Sequence, residues 1–396
     1  MKFFGSRKNG RHLNTNTDKA GVKKTKKGAR KIILRIFIVF FSLIAALSIF
    51  VLVFWHFFVT PPAQPEVIAA PSDDADRHAI DEEGFLIVDP DHYGSDDYDE
   101  YYESPLPAYN APSWAVDRRK YFWTFLIVGL NEGTNANTVM VASYCGVERE
   151  ANLISIPRDV PVSPSRNGRR ISSSYIIGAR NGGVAGGVTQ MQRDVQTVIG
   201  FIPDFYIVID YDSFFTIVDA VGGIDIYVPI RMRYDDPHQN LRIDIHPGLQ
   251  HMDSATALNF ARFRQSNRNS RYPGLPDGDL GRIRNQQAII SAVISELLTP
   301  SGLLRIPEFV GIFNESVHTN ISFTDMLYFG NELNHIRRTD AGTDSISMYT
   351  FATRSGMANG ISYQFLTPSN VVELINQTIN PFDRDISAGD LRIIRS

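Results

Sequence analysis

The sequence predicts an α/β domain in which helices cover both faces of a β-sheet, preceded by a single apolar span near the N-terminus. Three observations carry this expectation. Between residues 121 and 379, short apolar runs of strand length alternate with amphipathic segments of helix length, the pattern of a sheet packed between helices. Apolar residues make up 43% of the chain and aromatic residues 11%, ample for a buried core. One unbroken apolar run, residues 32–59, stands apart from the rest.

Taken in order, residues 1–31 are basic, polar and without apolar periodicity. They read as a basic tail, and no nucleic-acid partner is expected. Residues 32–59 form a transmembrane helix by length. At about 1.5 Å per residue they span a hydrocarbon core of roughly 30 Å. Trp55, His56, Phe57 and Phe58 stand where a cleaved signal peptide would have small residues. The basic flank places the tail in the cytoplasm and the bulk of the chain outside. The expected location is therefore the cell membrane, single-pass, with an extracytoplasmic C-terminal domain. Residues 60–115 begin with Thr60, Pro61 and Pro62 and are rich in Asp, Glu and Tyr. They read as a self-repelling linker, and they lack the ordered ligand spacing of a calcium loop. The net charge of −4 sums these opposed segments and identifies no partner.

The folded domain is expected over residues 116–381, with 382–396 as a C-terminal tail. Strands are expected at 121–130, 138–145, 151–157, 205–210, 224–229 and 345–351. A Gly-rich loop precedes a helix at 188–199. Further helices are expected at 211–221, 253–260, 282–298, 308–313, 323–336 and 368–379, with Asp253 or Ser254 as an N-cap. The single cysteine, Cys145, excludes an internal disulfide and a cysteine-based zinc cluster. It lies in an apolar run and reads as a buried small hydrophobe.

Chemistry is concentrated in three segments. Residues 277–287 place Asp277, Asp279, Arg282, Arg284 and Gln286 where a loop becomes a helix. A helix N-terminus offers free N–H groups to an anion. Asp279 either caps that helix or acts as a base on an incoming hydroxyl. Arg262 and Arg264 stand two apart and share a face if the chain is extended. They either grip a phosphate, for which the planar guanidinium is suited, or belong to a solvated turn leading into the polar, flexible-looking residues 265–271. Arg158 and Asp159 follow an expected strand, where open sheets bind ligands, or form an ordinary surface pair. No phosphate-binding Gly-x-x-x-x-Gly-Lys loop, no Gly-x-Ser-x-Gly elbow and no zinc-ligand histidine spacing is present.

These motifs together resemble the LytR–CpsA–Psr family. The resemblance rests on Ile156-Pro157-Arg158-Asp159, on 210–214 running to 218–226, on Pro247-Gly248-Leu249-Gln250, on 257–264 and on Gly278-Asp279-Leu280-Gly281-Arg282. It covers about residues 122–298 and extends toward 379 through 317–322 and 360–363. It implies a central mixed β-sheet flanked by helices, an α-β-α sandwich with an apolar groove for a polyprenyl chain. It also implies a phosphotransferase that moves a glycopolymer, such as teichoic acid or capsule, from an undecaprenyl-pyrophosphate carrier to peptidoglycan at the cytoplasmic membrane. By the same resemblance Arg158, Arg170, Arg262, Arg264, Arg282 and Gln286 hold the pyrophosphate. Asp279 is the base, with Arg158 and Arg282 also catalytic. Magnesium commonly bridges the pyrophosphate in the family. The positions matching its aspartate ligands are here Asn131 and Asn137, and Asn135 replaces an arginine between them. Neutral amides are poorer magnesium ligands, so a weakened site is expected unless Glu132 or the substrate's phosphates supply oxygens. Asn285 stands where the family often has arginine. These departures keep two other functions open: a non-catalytic polyprenyl-phosphate-binding scaffold or regulator, and a pyrophosphatase acting on the same lipid.

Overall fold

The computed structural model describes Arg35, Phe37–Phe50, Leu52, residues 60–64 and residues 118–394, apart from 132–134, 164–168, 240, 269, 334, 337–345 and 359. The chain divides into two units, Met1–Thr60 and Pro61–Ser396. In the first, Phe37–Phe50 is an apolar helix whose side chains are all exposed. Among the described residues no single helix is long and apolar enough to cross a membrane. Much of the expected span, the tail 1–31, Glu132 and nearly all of the acidic linker lie outside the described residues. The linker's near edge is described. Gln64 Nε2 donates to the carbonyls of Arg119 and Phe122, both at 2.9 Å. Residue 64 is thus adjacent to the point where the domain begins.

The second unit opens with β1 (Phe122–Leu130), β2 (Ala136–Cys145) and β3 (Glu150–Ser155). A short pair, β4 (Pro161–Ser163) and β5 (Arg169–Arg170), leads to helix α1 (Ser174–Ile199). Then follow β6 (Phe205–Ile209), α2 (Tyr211–Val221), and β7 (Ile224–Val228) to β10 (Gly248–Met252), with β8 (Met232–Asp236) and β9 (Leu241–Ile245) between them. Helices α3 (Ser254–Arg262), α4 (Asp279–Leu297) and α5 (Pro300–Ser316) come next. The chain ends with β11 (His318–Thr319), α6 (Phe323–Glu332), β12 (Ile346–Thr350), the hairpin β13 (Thr353–Ala358) and β14 (Ile361–Leu366), and α7 (Pro368–Thr378).

Six strands form the central sheet in the order β11-β6-β1-β2-β3-β12. β1 runs antiparallel to β2 and parallel to β6, and β12 runs parallel to β3, so the sheet is mixed. The alternation of side chains along β1 assigns its two faces. Leu126 and Val128 join a core with Met191, Val195 and Val198 of α1 and with Val371 and Ile375 of α7. On the other face Trp123 and Phe125 pack against Phe329 of α6. Ile127 and Gly129, next on that face, open into a cavity. A second core joins Ile226 and Ile243 to Phe260, Phe263 and Ile289 of the α3–α4 region. Each fully buried side chain of this kind contributes roughly 1.5–3 kcal/mol.

Several expectations need correction. The Gly-rich stretch is part of α1, broken only at Gly183, whose φ of 58° and ψ of −147° are not helical. The two halves meet at glycine. A Cβ on Gly178 would stand 2.1 Å from the carbonyl oxygen of Gly186. The expected strand at 224–229 pairs with β10 in a separate two-stranded sheet. The expected C-terminal tail is part of the core, with Phe382, Ile386, Leu391 and Ile393 buried. Residues 265–271 are also anchored: Asn267 accepts from the N–H of Asp235 and donates to its carbonyl. Cys145 is buried, in keeping with its apolar run.

One buried charge pair ties α1 to the edge of the site. Asp194 is fully buried and accepts from Arg169 Nη2 at 2.7 Å and from Gln190 at 3.2 Å. Burial pushes its carboxyl up, and the Arg169 guanidinium opposes that shift. Removing one partner leaves an uncompensated charge. Asp194→Ala is therefore expected to cost about 3–5 kcal/mol, measured by urea unfolding.

Candidate functional site

The cavity of about 490 Å³ lies beyond the carboxyl ends of β1 and β6, the usual location of a ligand in an open sheet. Its walls are of two kinds. Ile127, Ile209, Phe214, Ile243, Phe263 and Ile289 make the apolar part, and Arg158, Arg262, Arg264, Arg282 and Gln286 make the polar part.

Each arginine is aimed by local structure. Ile156 stays in the sheet by donating to the carbonyl of Val139, and Pro157 ends the ladder because it has no N–H. A turn follows, with the Val160 N–H on the Pro157 carbonyl. The Arg158 and Asp159 carbonyls accept from Ser172 and Gln364 respectively, which fixes both residues. Helix α3 is capped by Asp253, which accepts from the Thr256 N–H. It ends at Arg262, and Phe263 turns extended (φ −64°, ψ 131°) with its ring buried. Arg262 and Arg264 thus flank one anchored aromatic. The Leu275 N–H returns to the Arg264 carbonyl, and the Arg262 guanidinium lies over the Tyr211 ring at 5.4 Å.

Helix α4 begins at Asp279, not Arg282, and its N-cap is Gly278, with φ of 53°. The alternative in which Asp279 caps the helix does not hold: Asp279 is the first helical residue. Its Oδ1 lies 2.7 Å from Arg282 Nη2 and 3.6 Å from Arg158 Nε. These are ion pairs without hydrogen-bond alignment. Arg158 Nε and Arg282 Nε and Nη2 have no hydrogen-bond partner. Arg158 Nε also faces Asp159 at 3.8 Å. Arg282 is only 6% exposed. Burial, followed by repulsion from Arg158 and Arg264, lowers its pKa to about 10 against the pull of Asp279 and Asp159. It is still cationic at neutral pH.

Other expected residues fall elsewhere. Arg170 does not line the cavity. Its Nε faces Asp159 at 3.4 Å and its Nη2 donates to the Ser362 carbonyl at 2.9 Å. Arg284 points away and pairs with Asp277 at 2.5 Å. Asn285 is buried and donates to the Phe260 carbonyl, joining α4 to α3. Gln287 ties α4 to the sheet through Ser155 Oγ and the Tyr349 carbonyl. The sequence reading missed Tyr211, Tyr234 and the β8–β9 wall. The alternation of Leu241, Ile243 and Ile245 with Arg242 and Asp244 is the period-two signal that marks it.

The residues at the expected magnesium positions do not fit that ion. Asn131 Oδ1 accepts from the Asn135 N–H at 2.9 Å, and Asn137 Oδ1 accepts from Arg158 Nη1 at 3.3 Å. Magnesium favours carboxylate and phosphate oxygens in a tight octahedron, and a guanidinium stands at one of the two amides. Asp210, the one carboxylate on the cavity wall among the described residues, is occupied as the N-cap of α2, accepting from the Ser213 N–H and Oγ. Burial alone would raise its carboxyl, but the Ser213 hydrogen bonds hold it below the usual range. Among the described residues no group of three His, Cys, Asp or Glu is placed to hold a metal.

Arg264 is exposed. Arg264→Ala is expected to change stability by less than about 0.5 kcal/mol and to weaken inorganic pyrophosphate binding by about tenfold. Arg262→Ala with Arg264→Ala is expected to abolish it, as measured by calorimetry. Retained affinity in the double variant would remove the phosphate-pocket assignment.

Comparison with known proteins places the chain. Over 232 residues it is 25% identical to the polyisoprenyl-teichoic acid–peptidoglycan teichoic acid transferase TagV of Bacillus subtilis strain 168, covering 55% of this chain and 54% of that protein. Over 203 residues it is 24% identical to the regulatory protein MsrR of Staphylococcus aureus, covering 50% of this chain and 56% of that protein. The chain thus spans about half the length of the curated relatives it matches. The fold is that of the B. subtilis TagV crystal structure (TM-score 0.52, 21% identity, 65% of this chain and 95% of that one). It is likewise that of TagT bound to LI-WTA (TM-score 0.51, 16% identity, 67% and 92%). The LytR_cpsA_psr family model matches residues 114–380, about two thirds of the chain. The chain belongs to the LytR–CpsA–Psr family.

Proposed function

We propose that the chain transfers a glycopolymer from an undecaprenyl-pyrophosphate carrier to peptidoglycan, at the outer face of the cytoplasmic membrane. The observation that carries this reading is the two-natured cavity: guanidiniums and an apolar wall meet in one space. A polyprenyl pyrophosphate has the same two halves. TagV, the relative named as a teichoic acid–peptidoglycan transferase, and the shared family support this class of reaction. The exposed apolar helix Phe37–Phe50 supports membrane attachment, since such a surface is unfavourable in water.

The chemistry needs one in-line displacement. The peptidoglycan hydroxyl oxygen attacks the phosphorus next to the glycopolymer. The bond from that phosphorus to the oxygen of the polyprenyl phosphate breaks, and polyprenyl phosphate leaves with the electron pair. A phosphodiester to peptidoglycan remains. Arg158 and Arg282 face the charge that develops on the leaving phosphate, Arg262 and Arg264 hold the other face, and Gln286 donates its amide. Asp279, set between Arg158 and Arg282, takes the hydroxyl proton. Arg170 serves from behind: it holds Asp159, which faces Arg158.

A second reading is favoured by the amides at Asn131 and Asn137: a protein that binds the lipid without transferring the polymer, as a scaffold or regulator. One assay separates them. The full chain in detergent is incubated with a lipid-pyrophosphate oligosaccharide and peptidoglycan oligomers. Transfer is expected to yield the sugar–peptidoglycan phosphodiester, and Asp279→Asn is expected to slow it about 100-fold or more with lipid binding retained. Lipid bound but unchanged would establish the second reading, and free phosphorylated glycan would establish a lipid pyrophosphatase.

A further inference from the structure

We infer that this chain holds its pyrophosphate with guanidiniums as the only cations, and that Arg158 takes the place of a divalent cation at the amide positions. The inference rests on the proposed pyrophosphate ligand and deepens it. Three observations converge. First, Asn137 Oδ1 accepts from Arg158 Nη1 at 3.3 Å, while Asn131 Oδ1 is used by the Asn135 N–H. A cation at Asn137 would have to share its oxygen with a guanidinium of the same sign. With aspartate at 137 that oxygen would carry charge for both. The neutral amide offers only a dipole.

Second, among the described residues the wall holds four arginines, Arg158, Arg262, Arg264 and Arg282, against the single carboxylate of Asp210. That carboxylate faces Ser213. Asp279 and Asp159 partly compensate Arg158 and Arg282 as ion-pair partners. With Arg170, which pairs with Asp159, five arginines face three aspartates among the described residues, and the surplus positive charge matches one negative charge on each phosphate of a pyrophosphate diester without a metal. Third, Arg282 is more than nine-tenths buried on this wall, its Nε has no hydrogen-bond partner, and its Nη2 meets only the poorly aligned Asp279 Oδ1. Arg158 Nε is in the same condition. Buried donors of a charged group without acceptors are unfavourable, and phosphate oxygens supply acceptors of matching geometry. The amides at 131 and 137 and the guanidiniums of Arg158, Arg264 and Arg282 are then one arrangement. The ligand class follows: pyrophosphate esters taken up without a bound divalent ion.

The test is binding of inorganic pyrophosphate, and of a short-chain prenyl pyrophosphate, to the full chain in detergent. Calorimetry is run with excess EDTA and again with millimolar magnesium. The affinity for the prenyl ester is expected to agree within about twofold between the two conditions, under 0.5 kcal/mol. Arg158→Ala is expected to weaken metal-free binding by about tenfold or more, and magnesium is expected not to restore it. Binding that appears only with magnesium overturns the inference and leaves the proposed function standing. Binding in neither condition overturns both. Unchanged metal-free affinity in Arg158→Ala overturns the role given to that residue.

Discussion

The cavity depends on one electrostatic constraint: arginines from three separate parts of the chain are held together with too few acids among them. Arg158 comes from the end of β3, Arg262 and Arg264 from the end of α3, and Arg282 from the first turn of α4. Asp279 is the hinge of this arrangement, because its Oδ1 faces both Arg282 and Arg158. Arg158 and Arg264 repel the buried Arg282 guanidinium. The surrounding packing must therefore be rigid enough to hold them.

That rigidity is visible in how each segment is tied. The Phe263 ring is buried in the second core, so the chain between Arg262 and Arg264 cannot turn away. Asn285 and Gln287 fasten α4 to α3 and to the sheet on opposite sides. The turn after β3 is held through the Arg158 and Asp159 carbonyls. Near the other edge Gly129 sits where β1 and β2 shift register, and a Cβ there would stand 2.9 Å from Thr138 Cβ. The close approach of these strands sets the positions of Asn131 and Asn137. The site is thus preorganised by backbone ties and buried side chains.

Much of this was legible in the sequence, and the parts that were not have physical causes. The central strands and α2 followed from apolar runs bounded by turn residues, and the N-cap of α3 was narrowed to Asp253 or Ser254, of which the structure selects Asp253. Arg158, Arg262, Arg264 and Arg282 converged on the cavity, because each sits at the boundary of a recognisable element, whereas Arg170 did not. The glycines of α1 misled, since glycine disfavours helix. The close packing of Gly178 on Gly186 and of Gly187 on the Tyr175 ring explains the use of those three. The β8–β9 wall was hidden by Pro237, His238 and Gln239, which interrupt two short alternating strands. The alternatives for Asp279 could not be separated by spacing, since the backbone of Gly278 decides which residue caps the helix. The pairing of Asn137 with Arg158 joins residues 21 positions apart, and no local pattern announces it.

The central claim is that the arginine wall is a pyrophosphate site complete in itself. It is tested most directly by a crystal structure of the domain with a prenyl pyrophosphate, grown with magnesium present. The account predicts phosphate oxygens within about 3 Å of Arg158, Arg264 and Arg282, the prenyl chain along Ile209, Phe214 and Ile289, and no metal density at Asn131 or Asn137. A magnesium ion coordinated by those amides, or a ligand headgroup seated away from Arg282, would contradict it.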